Sequence, residues 1–379
     1  MLSVKRIRLG PLRARENVTL VVGARPNFMK AGPLLRALQK RDWLPVRLIH
    51  TGQHFDENMS QIFFEQLHLP EPDAYLNVNT GDAANQIGQV ISALAVQLAE
   101  HPPRVVGVFG DVNSTLAAAI AANKTETPLA HVEAGLRSFD RKMPEEHNRI
   151  VTDMLSDFLF TPSLDADENL LNEGVARERT FRVGNIMADS LLAFKPEAEK
   201  LETFLQYGFQ RKQYGLVTLH RPSNVDDAGG LKEILAAFEE ISRELPLLFP
   251  VHPRTRKKIE ELGFNSEKES DLLQFTAPMS YLEFLNLTMN ARMVLTDSGG
   301  IQEETTLLGV SCLTLRENTE RPITITQGTN HLVGNTRQGI VGGFQAALQE
   351  DESSAKIPEL WDGKTAERIS DILYQKLNG

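Results

Sequence analysis

The 379-residue chain contains one cysteine, Cys312. A single cysteine excludes an intramolecular disulfide and a cysteine-based zinc site, and it fits a reducing, cytoplasmic setting. No apolar run approaches the ~20 residues that a membrane-spanning helix requires. The Ala-rich stretch at 116–122 is too short. The first fifteen residues carry Lys5, Arg6, Arg8, Arg13 and Arg15 and no acid. The apolar stretch of roughly 7–15 residues that completes a secretion signal does not follow them, so this head reads as a solvated tail before the first strand. Basic charge is also scarce overall: 40 Lys+Arg face 50 Asp+Glu, for a net charge of −10. That balance argues against a surface that coats nucleic acid. Glycine and proline are present at ordinary levels, 26 and 19 residues, which leaves no collagen-like or disordered reading.

What is present is an alternation. Apolar, β-branched runs at Val18–Val22, Val46–His50, Val105–Phe109, Leu129–Val132 and Phe158–Phe160 read as buried strands. Between them, Ala31–Lys40, Glu57–Leu67, Asn85–Ala99, Ser114–Asn123 and Glu145–Ser156 place apolar residues at helical spacing. The pattern stops at Arg182-Val183-Gly184-Asn185 and restarts. Leu216–Leu219, Leu247–Val251, Leu272–Phe275, Met293–Thr296 and Ser311–Leu315 form the second set of strands. Their helices are Leu231–Arg243, Arg254–Glu261, Tyr281–Asn290 and Ile301–Leu308, and a last helix spans roughly Thr365–Leu377. Such alternation demands parallel sheets covered on both faces. The expectation is two doubly wound α/β domains in tandem, residues 1–183 and 184–364, which agrees with ~150 residues per domain.

In open α/β sheets, ligands bind beyond the carboxyl ends of the strands, where helices begin. Seven strand ends here carry chemistry-bearing residues: Arg25 and Lys30; His50, Gln53 and His54; Asp111 and Asn113; His131, Glu133 and Arg137; His220 and Arg221; His252 and Arg254; and Asp297 with Ser298, Gly299 and Gly300. Their joint placement points to one cleft faced by both domains. The Gly299-Gly300 turn opens a helix directly after a strand, where free amides and the helix dipole favour a phosphate. It is neither a P-loop nor a dinucleotide Gly-x-Gly-x-x-Gly. Arg25 and Lys30 are matched to a diphosphate, although loop cations are commonly just solvated. Glu303 and Glu304 lie one turn into the helix, placed to accept from ribose hydroxyls or to complement its dipole. Three acids stand out for chemistry. Asp111 is equally suited to capping the next helix. Glu133 has no capping target, and Glu145 sits where first-turn acids are common. His220 follows a strand, where a structural histidine is the ordinary reading. No paired histidine spacing supports a metal.

The blocks Gly-Ala-Arg-Pro-Asn-Phe-Met-Lys (23–30), Thr-Gly-Gln-His (51–54), Gly-Asp-Val-Asn-Ser-Thr (110–115), His-Val-Glu-Ala-Gly-Leu-Arg (131–137), Met-Pro-Glu-Glu-His-Asn-Arg (143–149), His-Arg-Pro (220–222), Asp-Ser-Gly-Gly-Ile-Gln-Glu-Glu (297–304) and Thr-Glu-Arg-Pro (319–322) occur in order. Together they resemble the non-hydrolysing UDP-N-acetylglucosamine 2-epimerases, from about residue 18 onward. The resemblance implies a GT-B-like fold, two Rossmann-like domains whose parallel sheets face a central cleft, with the C-terminal helix (365–379) returning to the first domain. It implies reversible 2-epimerisation by loss of UDP to a 2-acetamidoglucal intermediate and re-addition, without nicotinamide or metal. It also implies a homodimer, no nucleic-acid or membrane partner, and a place in cell-surface polysaccharide synthesis.

Carried over to this chain, Asp111, Glu133 and Glu145 would be the acid–base carboxylates, and His220 the histidine beside the diphosphate. Arg25, Ser298, Gly299 and Gly300 would hold the phosphates, Glu304 the ribose, and Lys30 the leaving-group side. Arg316 and Arg321 fall where the family places arginines of the cleft. The chain departs from common patterns at Ala24, often Thr, and at Asn27-Phe28, often Glu-Ala. The segment from Glu133 to Glu145 is slightly shorter than in several bacterial members. Its Phe55-Asp56-Glu57-Asn58-Met59 stretch is unlike relatives that bind a second, activating UDP-N-acetylglucosamine. Competing expectations are an epimerase of another UDP-2-acetamido sugar such as a diacetamido uronic acid, a hydrolysing 2-epimerase, a GT-B glycosyltransferase and a non-catalytic nucleotide-sugar sensor.

Overall fold

The computed structural model describes residues 15–52, 69–78, 80–264, 272–350 and 356–378. The expected helix at 57–67, Gln53 and His54 lie outside them. The described residues fall into two compact units, one running to Ser190 and resuming at Asp362, the other spanning Leu191–Trp361.

The first unit is a seven-stranded, fully parallel sheet. Its strands are β1 (Val18–Val22), β2 (Val46–His50), β3 (Ala74–Tyr75), β4 (Val105–Phe109), β5 (Leu129–Val132), β6 (Phe158–Thr161) and β7 (Thr180–Arg182). They lie in the order β3-β2-β1-β4-β5-β6-β7. All of β1, β4 and β5 is buried, which is why each reads as an unbroken apolar run rather than an alternation. Helices α1 (Arg25–Arg41), α2 (Ala83–Glu100), α3 (Asn113–Lys124), α4 (Pro144–Leu155) and α5 (Leu164–Asn172) follow their strands. The chain winds outward from β1 to β3 and then returns to β4 on the other side of β1. The carboxyl ends of β1 and β4 therefore flank a topological switch point.

Helix α1 begins six residues before the expected Ala31, because Pro26 is accommodated in the first turn. Asn27 locks that start. Its side-chain oxygen accepts from the Gly23 and Ala24 amides at 3.1 and 3.3 Å, and its amide donates to the Phe109 carbonyl of β4 at 3.0 Å. Pro33 lies inside the helix. Lacking an N–H, it leaves the Met29 carbonyl without its helical donor, and the Ser190 hydroxyl donates to that carbonyl instead. The sequence reading passed over β3, β7 and α5. The first is two residues long and β7 is only half-buried, so neither produces a clear period.

The second unit repeats the plan with six parallel strands: β8 (Gly215–Thr218), β9 (Leu247–Pro250), β10 (Leu273–Thr276), β11 (Met293–Thr296), β12 (Ser311–Thr314) and β13 (Asn330–Leu332). Their order is β10-β9-β8-β11-β12-β13, with the switch point between β8 and β11. Its main core joins Val217, Phe238, Phe249, Leu295, Leu313 and Phe344. Cys312 is buried within β12, and burial pushes its thiol up to about 12. No described helix is long and apolar enough to cross a membrane.

The last helix (Thr365–Asn378) packs on α1. Arg41 pairs with Asp371, and the Trp43 ring meets Tyr374 edge-on at 5.5 Å. Its N-terminal amides are capped from far away in sequence: the buried Asp189 carboxylate accepts from Thr365 and Ala366 N at 3.1 and 2.8 Å. Losing an N-cap of this kind costs about 1–2 kcal/mol. Asp189→Ala is expected to lower the first unfolding transition in a urea titration by that amount, with Asp189→Asn losing less. An unchanged midpoint for Asp189→Ala would show that the cap is energetically idle.

Candidate active site

The first unit brings its acids to the carboxyl ends of adjacent strands. β4 ends into Gly110-Asp111, and β5 ends into Glu133. Gly110 adopts φ +61° and Glu133 φ +73°. The left-handed region costs a non-glycine residue on the order of 1–3 kcal/mol and marks a backbone held for a purpose. Three contacts offset that cost. The Glu133 and Ala134 amides both donate to the Phe160 carbonyl at 3.0 Å, and the Glu133 carboxylate pairs with Lys30. Lys30 and Glu133 are 6% and 8% exposed, so Lys30 is no solvated loop charge but a buried cation in the second turn of α1. A Cβ on Gly110 would sit 3.0 Å from Lys30 Nζ and 3.3 Å from Glu133 Oε2. Glycine there leaves the pair its room.

The residue directly before α3 is Val112, which makes no side-chain cap. Asp111 pairs with the buried Arg149 of α4, whose guanidinium also holds Glu146. Asn148, on the same helix, donates to the Asp111 carbonyl at 2.9 Å. Glu146 accepts further from the Ser138 amide and hydroxyl at 3.0 and 2.9 Å and from the Phe139 amide at 2.8 Å. Burial opposes its ionisation, but these donors and Arg149 hold its carboxyl below the ordinary value. Glu145, the neighbouring acid expected to react, is exposed. Arg25 opens α1, and its side chain lies outside the described residues. His50 is a structural histidine, buried, stacked on Phe28 at 5.4 Å and accepting at Nδ1 from the Gly52 amide at 3.0 Å.

In the second unit the site forms around a buried carboxylate. Asp297, directly after β11, accepts from the His220 amide at 3.1 and 3.2 Å, the Arg221 amide at 2.9 Å and the Asn224 side chain at 3.3 Å. Its Oδ1 lies 3.0 Å from His220 Nδ1. Burial pushes its carboxyl up, yet His220 and the two amides outweigh that and hold it below the ordinary range. The His220 side chain is 56% exposed. With Nδ1 bonded to Asp297, its Nε2 is left to act outward, the orientation a general acid or base needs.

Ser298 precedes the next helix, Gly299–Leu308, and uses no side-chain cap. That helix has no acid in its first turn. A Cβ on Gly299 would lie 2.4 Å from Arg321 Nη1 and 2.7 Å from Glu320 Oε1. One on Gly300 would meet nothing within 4 Å, so the second glycine answers to open space rather than to internal packing. Arg321, expected to touch ligand, is buried and pairs with Glu303 at 2.9 Å and with Glu320. Arg316 pairs with Glu320 at 2.8 Å; burial, with Arg221 and Arg321 nearby, lowers its guanidinium below the ordinary value. Glu304 is buried beside Glu303 in the second turn. No group of three or more metal-ligating side chains occurs among the described residues.

Sequence reasoning missed Arg149, Glu146, Asn224 and Glu320. Only the Glu146–Arg149 pair, three residues apart on one helix face, left a local signal.

The family model for UDP-N-acetylglucosamine 2-epimerase matches residues 36–374. A UDP-N-acetylglucosamine 2-epimerase of Methanocaldococcus jannaschii is 42% identical over 364 residues, covering 94% of this chain and 98% of that protein. A UDP-2,3-diacetamido-2,3-dideoxy-D-glucuronate 2-epimerase of Pseudomonas aeruginosa is 43% identical over 335 residues, covering 87% and 92%. The crystal structure of the M. jannaschii enzyme in complex with UDP-GlcNAc and UDP superposes with a TM-score of 0.88 at 41% identity, over 95% of this chain and 99% of that one. The chain belongs to the UDP-N-acetylglucosamine 2-epimerase family and has its two-domain, GT-B-like fold.

The ionised, hydrogen-bonded Asp297 makes a pH prediction. A carboxyl held low in the folded state stabilises above its unfolded value, near 4, and loses that contribution as pH falls. Urea midpoints are expected to drop as pH is lowered from 5 towards 3, and less steeply for Asp297→Asn. Parallel curves for the two proteins would remove Asp297 from the account.

Proposed function

We propose that this chain interconverts UDP-N-acetylglucosamine and UDP-N-acetylmannosamine without releasing free sugar. The observation that carries the reading is the pair of strand-end carboxylates, Asp111 and Glu133, each matched to its own cation. The C2 hydrogen of the sugar has no carbonyl beside it, so a carboxylate cannot remove it directly. Departure of UDP with the C1–O electron pair gives C1 oxocarbenium character and acidifies C2–H. A carboxylate then takes the proton, and the C–H pair becomes the C1=C2 bond of 2-acetamidoglucal. Return delivers a proton to the opposite face of C2 while a UDP oxygen re-forms the bond to C1. Substrate and product share one oxidation state, so the net reaction needs neither an oxidant nor a reductant.

Two carboxylates on separate strand ends supply one group for each face of C2, with Glu145 as a third acid on α4. His220, fixed through Nδ1, presents Nε2 to donate to the departing diphosphate. Ser298, Gly299 and Gly300 offer amides to the phosphates, joined by Arg25, and Lys30 serves the leaving-group side through its contact with Glu133. Glu304 is assigned the ribose. Arg321 supports the cradle by packing under Gly299. A second reading, epimerisation of a UDP-diacetamido uronic acid, draws on the Pseudomonas relative, which is as similar as the archaeal one.

Incubation with UDP-N-acetylglucosamine in heavy water, followed by proton NMR, is expected to show deuterium at C2 and a second UDP-sugar with no cofactor added. Exchange only with the diacetamido uronate would reassign the substrate. Accumulating free N-acetylmannosamine would identify a hydrolysing enzyme. Asp111→Asn and Glu133→Gln are each expected to lower turnover by ~10²–10⁴-fold while UDP affinity stays within about threefold. Wild-type turnover in either variant would remove that acid from the mechanism.

A further inference from the structure

Behind the two carboxylates of the first unit lies a buried chain of charged groups that the proposed chemistry does not use. The His131 side chain, on β5, is fully buried. Its Nε2 lies 2.8 Å from the carbonyl oxygen of Gly110, the residue that leads into Asp111. Its Nδ1 lies 2.6 Å from Oδ1 of Asp153, on α4. Asp153 is likewise fully buried, and its Oδ2 accepts from the Gly135 amide at 3.1 Å and from Arg137 at 2.8 Å. Arg137 in turn pairs with Glu173 at 2.6 Å, at the outer end of the chain. Through its two ring nitrogens His131 therefore bridges the Gly110 carbonyl to the Asp153 carboxylate. Burial opposes ionisation of Asp153, but His131 and Arg137 hold its carboxyl below the ordinary range.

The chain touches the backbone on both sides of the reactive acids. It grips Gly110 before Asp111, and it grips Gly135 two residues after Glu133. Both glycines are in the left-handed region, at φ +61° and φ +81°. At Gly135 a Cβ would lie 2.4 Å from the Ala166 carbonyl, so that turn is packed with no slack. β5 carries His131 and, two residues on, ends into Glu133. A shift of the imidazole therefore moves both strand ends together.

We propose that His131 and Asp153 are positioning residues that fix the spacing of Asp111 and Glu133 through the Gly110 carbonyl and the Gly135 amide. The inference rests on the epimerase reading above. Neither residue need touch substrate. A carboxylate displaced by about 1 Å loses on the order of 10²-fold in rate, whereas, among the described residues, His131 and Asp153 contact none of the groups assigned above to the nucleotide.

The test compares His131→Gln, Asp153→Asn and Glu173→Gln with wild type by steady-state kinetics, C2 deuterium exchange, UDP titration and thermal melting. Glu173 is exposed at the end of the chain, so its variant keeps the experiment readable if either buried change prevents folding. Folded His131→Gln and Asp153→Asn are expected to lose about 10²-fold in kcat and in C2 exchange, with KM and UDP affinity within about threefold. Glu173→Gln is expected to lose several-fold in kcat at an unchanged KM. Wild-type kcat in folded variants, or losses that only track the folded fraction, would overturn the positioning role. Absence of C2 exchange in the wild type would instead count against the epimerase reading, so the two failures are distinguishable.

Discussion

The first unit depends on one buried contact, the ion pair between Lys30 and Glu133. It joins the helix that follows β1 to the end of β5, passing over Gly110 at the end of β4. Three features accompany it. Gly110 must lack a Cβ, Glu133 is held in a left-handed backbone, and α1 must start early enough to bring Lys30 inward on its second turn. Breaking a buried pair by removing one partner costs roughly 3–5 kcal/mol, because the other charge is left uncompensated. The ~1–3 kcal/mol stored in the Glu133 backbone is offset jointly by this pair and by the two amides that donate to the Phe160 carbonyl. Asn27 makes the geometry reproducible by tying the start of α1 to the last carbonyl of β4.

The second unit reaches a comparable result with the signs reversed. There a buried anion, Asp297, is the fixed point, and amides, a histidine and an asparagine converge on it. Both fixed points sit at the switch of strand order, β1/β4 in one sheet and β8/β11 in the other. Neighbouring strands there send their helices to opposite faces, so the sheet edge is open above them. The Thr218 and Thr296 hydroxyls, 2.6 Å apart across β8 and β11, keep His220 and Asp297 in register. The repeated plan explains how unrelated stretches of sequence place their candidate site residues at equivalent points of two folds.

Most strands were legible in the sequence because a parallel strand buried on both faces must be a short apolar run; β1, β2, β4, β5 and β11 need no correction. Helix ends were less so, since Pro26 and Pro33 look like breaks until Asn27 and Ser190 are seen to satisfy the backbone around them. The candidate acids were legible by position, as residues just past strands. Their partners were not. Lys30 pairs with a residue 103 positions away and Arg149 with one 38 positions away, and pairing at that range leaves no trace in local spacing. The partners of Arg321, Glu303 and Glu320, were likewise hidden until the fold brought them together.

On the proposed function, a chain with a net charge of −10 must accept an anionic nucleotide sugar, which is a conflict of charge. The conflict is resolved locally. Charges beyond about 8 Å are largely screened at physiological ionic strength, so the groups at the strand ends decide the potential that a diphosphate meets. In the first unit each of the two strand-end carboxylates is already matched to a lysine or arginine, which removes the repulsion that bare acids would exert while leaving their oxygens in place. In the second unit the anion is buried beneath its donors, and Arg221, Arg316 and Arg321 engage Glu303 and Glu320 in the ion-pair cluster under the Gly299 turn. What the helix start then offers a phosphate is its free backbone amides, a source that the overall composition does not reveal.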